Sequence, residues 1–135
     1  MQPASESMRM NFSTTPEFDR ELKRFKKSWP SLDTDFDSVY KTLPLLYTLQ
    51  DNEIDADLKI RRDGFFNNKR ATILHPNQDG SEVVKMRLDC VSLGNKDILR
   101  LVFVYVKSDD KINFIELYSK KDKQREDQSR IKKYF

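Results

Sequence analysis

The sequence predicts a single α+β domain, an antiparallel sheet with two helices packed on one face and a further helix closing the chain. Three observations carry this. Apolar residues recur at helical spacing in the first third of the chain. The pattern changes to strict alternation from Glu82 onward. A basic, helix-compatible segment ends the sequence.

In chain order, residues 10–14 (MNFST) suit a short strand. Thr15 then offers an N-cap and Pro16 the first helical position, while Glu17, Asp19 and Glu21 favour the positive end of the dipole. Phe18, Leu22, Phe25 and Trp29 form one apolar stripe, and Trp29-Pro30 stops the helix. Ser31 starts a second helix with Leu32, Phe36, Val39, Leu43 and Leu46 on one face, which Pro44 is expected to kink or end. Residues 51–81 are rich in turn signals, with a short strand expected near Ala71–Leu74. Val84, Met86 and Leu88 alternate with Lys85, Arg87 and Asp89, a strand with one apolar and one charged face. After the loop SLGNKD, residues 99–106 (LRLVFVYV) form a strong strand, Asp109-Asp110 a turn, and residues 112–118 (INFIELY) its hairpin partner. Residues 122–134 are expected to close the fold as a helix capped by Asp122.

The chain has 135 residues, enough for one hydrophobic core. Residues 1–9 read as a flexible leader and 10–135 as the domain. Charged residues make up 35%, above the roughly 25% of an average domain, so much of the surface is ionic. Fifteen aromatics argue against disorder. No stretch approaches the ~20 apolar residues of a membrane span, and the N-terminus has no apolar signal-peptide core. The single cysteine, Cys90, fits a reducing cytoplasm. One His and one Cys cannot make a zinc site, three glycines make no phosphate loop, and no cofactor is expected.

Net charge is +3, but it is segregated. Residues 31–57 carry seven acids against one lysine, and residues 120–135 carry seven bases against three acids. The basic end is what a polyanion would feel. Lys85 and Arg87 share one face of their strand. Arg100 interrupts an apolar run, sharing parity with Val102, Val104 and Val106, so it must be paired, solvated or functional. Glu116 and Asp89 are its expected partners if its role is structural, a cross-strand pair contributing ~0.2–1 kcal/mol.

PEFDRELKRFKKSWPSLDTDFDSVYKTL resembles the two opening helices of the RelE/ParE superfamily of toxins, and VVKMRL, LRLVFVYV and INFIELYSKKDKQREDQSRI are similar to its final strands and C-terminal helix. IELYSKKDKQRED is similar to the Tyr-x-Lys-x-Asp segment of RelE- and HigB-like members. The resemblance covers residues 12–50 and 82–134. It implies a small domain with a curved antiparallel sheet, and the work of a type II toxin: metal-independent cleavage of messenger RNA, usually in the ribosomal A site, by attack of the 2′-hydroxyl on the adjacent phosphate. It also implies a cognate antitoxin with an acidic or amphipathic segment as partner. On this resemblance Lys85 and Arg87 lie on the strand that carries catalytic or RNA-binding bases, Arg100 contacts the phosphate, Lys85 or Lys120 abstracts the proton, and Tyr118 transfers a proton or stacks on a base. Lys121, Lys123 and Arg125 would hold RNA. Arg and Lys suit a phosphorane-like transition state, whose extra negative charge they stabilise. Two other readings stay open: a ParE-like gyrase inhibitor, and a relative that binds RNA or protein without cleaving. The one histidine, His75, lies outside the resemblance and reads as a surface residue.

Overall fold

The computed structural model describes residues 10–47, 64–66 and 70–135. Strand β1 (Asn11–Thr14) leads into helix α1 (Pro16–Ser28), and α2 (Leu32–Tyr47) follows after a short turn. Four strands come next: β2 (Ala71–Pro76), β3 (Glu82–Arg87), β4 (Leu99–Val106) and β5 (Lys111–Ser119). A single helical turn, α3 (Gln128–Ile131), and a 3-10 turn at Lys132–Tyr134 end the chain. The expected leader, residues 1–9, and most of the turn-rich 51–69 segment lie outside the described residues.

The five strands form one sheet in the order β1-β5-β4-β3-β2. The wholly antiparallel sheet expected from the sequence is corrected at one edge, because β1 runs parallel to β5. Asn11 N–H donates to the Asp110 carbonyl at 2.8 Å and Thr15 N–H to that of Phe114 at 3.1 Å. Strands about a hundred residues apart carry no local signal of their relative direction, so only assembly decides it.

The helices form where the sequence places them. Thr15 Oγ1 accepts from Phe18 N–H at 3.2 Å, and Lys26 and Lys27 sit in the last turn of α1. Pro44 does not end helix α2, which continues through it to Tyr47. Packing holds that last turn, since Leu43, Pro44, Leu46 and Tyr47 are buried. The Tyr47 ring stacks on Tyr105 at 4.0 Å and its hydroxyl donates to Glu82 at 2.7 Å.

Phe18, Phe25, Leu32, Phe36, Val39 and Leu43 from the helices meet Leu99, Leu101, Phe103, Tyr105, Phe114 and Leu117 from the sheet in the main core. On the opposite face a smaller cluster joins Val83, Val102, Val104, Ile115 and Tyr118 to Ile131 of the C-terminal segment. Strand β4 is therefore covered on both faces, which is why its sequence is nearly continuous in apolar residues.

One irregularity decides which side chains face that second surface. Val102 pairs with Glu116 but Phe103 pairs with Phe114, so Ile115 is an extra residue, a β-bulge. Without it, Ile112, Phe114, Glu116 and Tyr118 would share one face. The bulge returns Leu117 to the main core and turns Glu116 and Tyr118 to the other side.

The closing helix is the largest departure. It is one turn rather than residues 122–134, and Asp127, not Asp122, caps it, accepting from Ser129 N–H at 3.0 Å. Residues 120–127 are spent on tertiary bonds instead. Asp127 N–H donates to Glu116 Oε1 at 2.8 Å and Lys123 Nζ binds Glu116 Oε2. Satisfying that buried carboxylate outweighs the favourable helical propensity of this Lys-, Gln-, Arg- and Glu-rich segment.

Candidate functional site on the outer sheet face

The strand register assembles the site. Arg87 pairs with Arg100 and Arg100 with Tyr118, which sets three predicted residues in one row across β3, β4 and β5. The adjacent row reads Thr72, Lys85, Val102, Glu116. Residues directly opposite on neighbouring strands share a face with Cβ atoms about 5 Å apart. A cleft of about 240 Å³ opens beside these rows, lined by Arg70, Thr72, Lys85, Arg87 and Arg100 together with Ala71 and Met86. It adjoins a larger cleft of about 550 Å³ that shares Arg70, Met86 and Arg87 and includes Asp89 and Asp97.

Each cation in the smaller cleft has a carboxylate. Lys85 Nζ binds Glu126 Oε1 at 2.9 Å. Arg87 and Arg100 share Asp97: Arg87 Nη1 lies 3.0 Å from Oδ2, and Arg100 Nη1 3.1 Å from Oδ1. Arg100 Nη1 also donates to the Leu99 and Asp97 carbonyls. Arg70 forms a two-pronged pair with Asp89, at 2.9 and 3.2 Å. The partners expected for Arg100, Glu116 and Asp89, are thus replaced by Asp97, three residues before it in sequence.

Glu116 is fully buried and anchors the C-terminal segment instead. It accepts from Lys123 Nζ and from Asp127 N–H, and Arg130 Nη1 lies 3.8 Å away. Arg130 in turn pairs with Glu21 of α1 at 2.8 and 3.1 Å and donates to the Ile115 carbonyl. Glu126 is also buried, its side chain only 4% exposed. Burial opposes its ionisation, but hydrogen bonds from Lys85 and Gln128 outweigh this and hold it below the usual carboxylate range.

Tyr118 is 2% exposed and its hydroxyl has no hydrogen-bond partner among the described residues. Burial, then the charges of Glu126 and Glu116, push its phenol up to about 12, against the opposing pull of Arg100 and Arg125. The group is a neutral hydrogen-bond donor at physiological pH. An unused buried donor is rare, and this one lies within the apolar cluster beneath the cleft.

The structure thus brings Lys85, Arg87, Arg100 and Tyr118 together. Lys120 stands just beyond β5, its Nζ on the Gln124 carbonyl at 2.7 Å. Lys121 and Arg125 are exposed, Arg125 Nε lying 3.5 Å from Glu126 Oε2, while Lys123 is drawn to Glu116 and lies 5.3 Å from the Tyr118 ring centre. Sequence reasoning missed Arg70, which falls in the unpatterned segment, and the carboxylates Asp97 and Glu126. The three-residue spacing of Asp97 and Arg100 was the one local signal for them. Among the described residues, no group of three His, Cys, Asp or Glu side chains is placed to hold a metal ion, and no helix is long and apolar enough to cross a membrane.

No protein-family model matches this chain, and neither a curated protein nor a solved structure is detectably similar to it.

Proposed function

We propose that this protein binds RNA through the cationic cleft and cleaves it without a metal, as a cytoplasmic type II toxin of the RelE/HigB kind acting on messenger RNA at the ribosomal A site. The observation that carries the reading is the row of Arg87, Arg100 and the unpartnered Tyr118 hydroxyl across three strands. In this reading a phosphodiester lies on the two guanidiniums. The 2′-oxygen bonds to phosphorus as the bond to the 5′-oxygen breaks, leaving a 2′,3′-cyclic phosphate and a 5′-hydroxyl. Arg87 and Arg100 stabilise the charge that develops on the phosphorane. Tyr118 supplies a proton to the departing oxygen, which requires its buried hydroxyl to open to the cleft on binding, since an alkoxide is a stronger base than even a phenolate of raised pKa. Lys85, tied to buried Glu126, suits electrostatic work. The 2′-hydroxyl proton is assigned in this reading to Lys120, whose amine stands just beyond β5 on the Gln124 carbonyl. A cognate antitoxin would cover this face with an acidic segment.

The test is controlled expression in a bacterial host of the wild type beside Arg100→Ala, following translation and message integrity over time. Arrest with cleaved messages in the wild type alone supports the reading. DNA damage with intact messages would point to a gyrase target instead. The alternative outcome is RNA binding without cleavage. RNA retained by the purified protein with no cyclic-phosphate ends would establish it.

A further inference from the structure

Arg87 and Arg100 face each other directly across β3 and β4, an arrangement that repels unless an anion stands between them. Asp97 is that anion. It places one carboxylate oxygen on each guanidinium, at 3.0 and 3.1 Å. The two non-bridging oxygens of a phosphodiester could make the same pair of bonds. We propose that Asp97 is a built-in plug of the anion site, which a phosphodiester displaces on binding, so that the 94–97 loop tip gates the cleft. The identity of the incoming anion as RNA rests on the reading above. The presence of a plugged oxyanion site does not.

The surroundings separate a removable counter-ion from a fixed one. Asp97 is 42% exposed, whereas the Glu126 carboxylate on Lys85 is 4% exposed. The loop that carries Asp97 is pinned at both ends. Ser92 exchanges hydrogen bonds with Ser31, Val91 N–H donates to Asp35 Oδ1 at 3.3 Å, and the Ile98 carbonyl accepts from Lys120 N–H at 2.7 Å. Between these pins, Gly94, Asn95, Lys96 and Asp97 are all exposed, and Gly94 adopts a positive φ of 62° with nothing near its missing side chain. To release Asp97 the tip has two further bonds to break, Lys96 N–H to the Leu93 carbonyl at 3.2 Å and Arg100 Nη1 to the Asp97 carbonyl at 3.3 Å, while the strands that carry Arg87 and Arg100 stay in register. Asp89 repeats the device on Arg70 at the opposite wall and is 78% exposed.

Exposed pairs of this kind are weak, so Asp97→Asn should tighten anion binding by roughly three- to tenfold, as expected for removal of ~0.7–1.4 kcal/mol of competition. The experiment measures fluorescence anisotropy of a fully 2′-O-methylated RNA oligonucleotide, which cannot be cleaved, together with calorimetric titration of inorganic phosphate. The proteins are the wild type, Asp97→Asn, Asp97→Ser in case the first variant folds poorly, and Asp33→Asn as a control for loss of an exposed carboxylate elsewhere. Tighter binding of the oligonucleotide by the Asp97 variants, absent in Asp33→Asn and abolished when Arg87→Gln is added, is the expected result. Tighter phosphate binding by the Asp97 variants with no RNA binding by any protein would keep the plug and discard the RNA reading. Unchanged or weaker binding of both probes by folded Asp97 variants overturns the proposal.

Discussion

Tyr118→Phe should stabilise the protein, against the usual direction for a buried tyrosine. Where a tyrosine hydroxyl is bonded, its removal costs about 0.5–1.5 kcal/mol. Here the hydroxyl has no partner among the described residues, and the ring is packed between β4, β5 and Ile131. Such a group has given up its bonds to water for nothing, a penalty of about 1–3 kcal/mol. Its deletion recovers that penalty and forfeits a few dispersion contacts, each about 0.1–0.2 kcal/mol. The net expectation is a gain of about 1 kcal/mol, or a rise in Tm of roughly 3–6 °C for a chain of this size. Urea unfolding at neutral pH measures it, and absorbance at 295 nm gives a second readout. In the wild type one tyrosine should ionise near 12, and that step should be missing in the variant. The sign follows from the raised folded pKa. The contribution of this group is complete below the ordinary value of 10 and is lost as pH rises through 12. A variant destabilised by 0.5 kcal/mol or more would refute the reasoning, because it would show that the hydroxyl makes a bond in the folded protein. Greater stability with lost cleavage would mean the donor is kept for the reaction at the expense of the fold.

Other perturbations have equally definite outcomes. Glu116→Ala strands Lys123, Arg130 and the Asp127 N–H at a fully buried position, and should cost about 3 kcal/mol in urea unfolding, the low end for breaking a buried pair because Lys123 is partly solvated. Phe114→Ala empties the centre of a ring cluster formed with Phe12, Phe18, Phe36, Tyr40 and Phe103, and should cost about 3–5 kcal/mol by the same assay; a loss under 1 kcal/mol would show that the cluster collapses around the gap. The depressed pKa values of Glu126 and Asp127 contribute stability that is present above their ordinary values of 4.5 and 3.8 and is lost as pH falls through the lower folded values. Thermal melts from pH 6 to pH 3 should therefore show a falling Tm, with a shallower fall in Glu126→Gln.

Local chemistry made much of the fold legible. Thr15-Pro16 and Trp29-Pro30 bound α1 by capping and by steric exclusion, and both act within a few residues. The stripes of α1 and α2 and the alternation of β3 record which face meets the core, since burial of each apolar side chain depends on helical or strand period alone. For the same reason Lys85, Arg87 and Arg100 could be placed on faces in advance. The sequence could not show that β1 lies parallel to β5, because pairing between segments so far apart is chosen by where α1 and α2 pack on the sheet. Nor could it show the bulge at Ile115, an extra residue visible only against its partner strand, although this bulge turns Glu116 and Tyr118 toward the cations. The closing helix failed for a related reason: residues 120–127 read as helix until a buried carboxylate from β5 claims Lys123 and Asp127. Sequence alone therefore determined the two N-terminal helices, the core strands and the charged character of one sheet face, because these follow from short-range sterics and periodic burial. Tertiary structure alone decided which anion answers each cation, because electrostatic pairing in a folded chain depends on distance in space rather than on separation along the sequence.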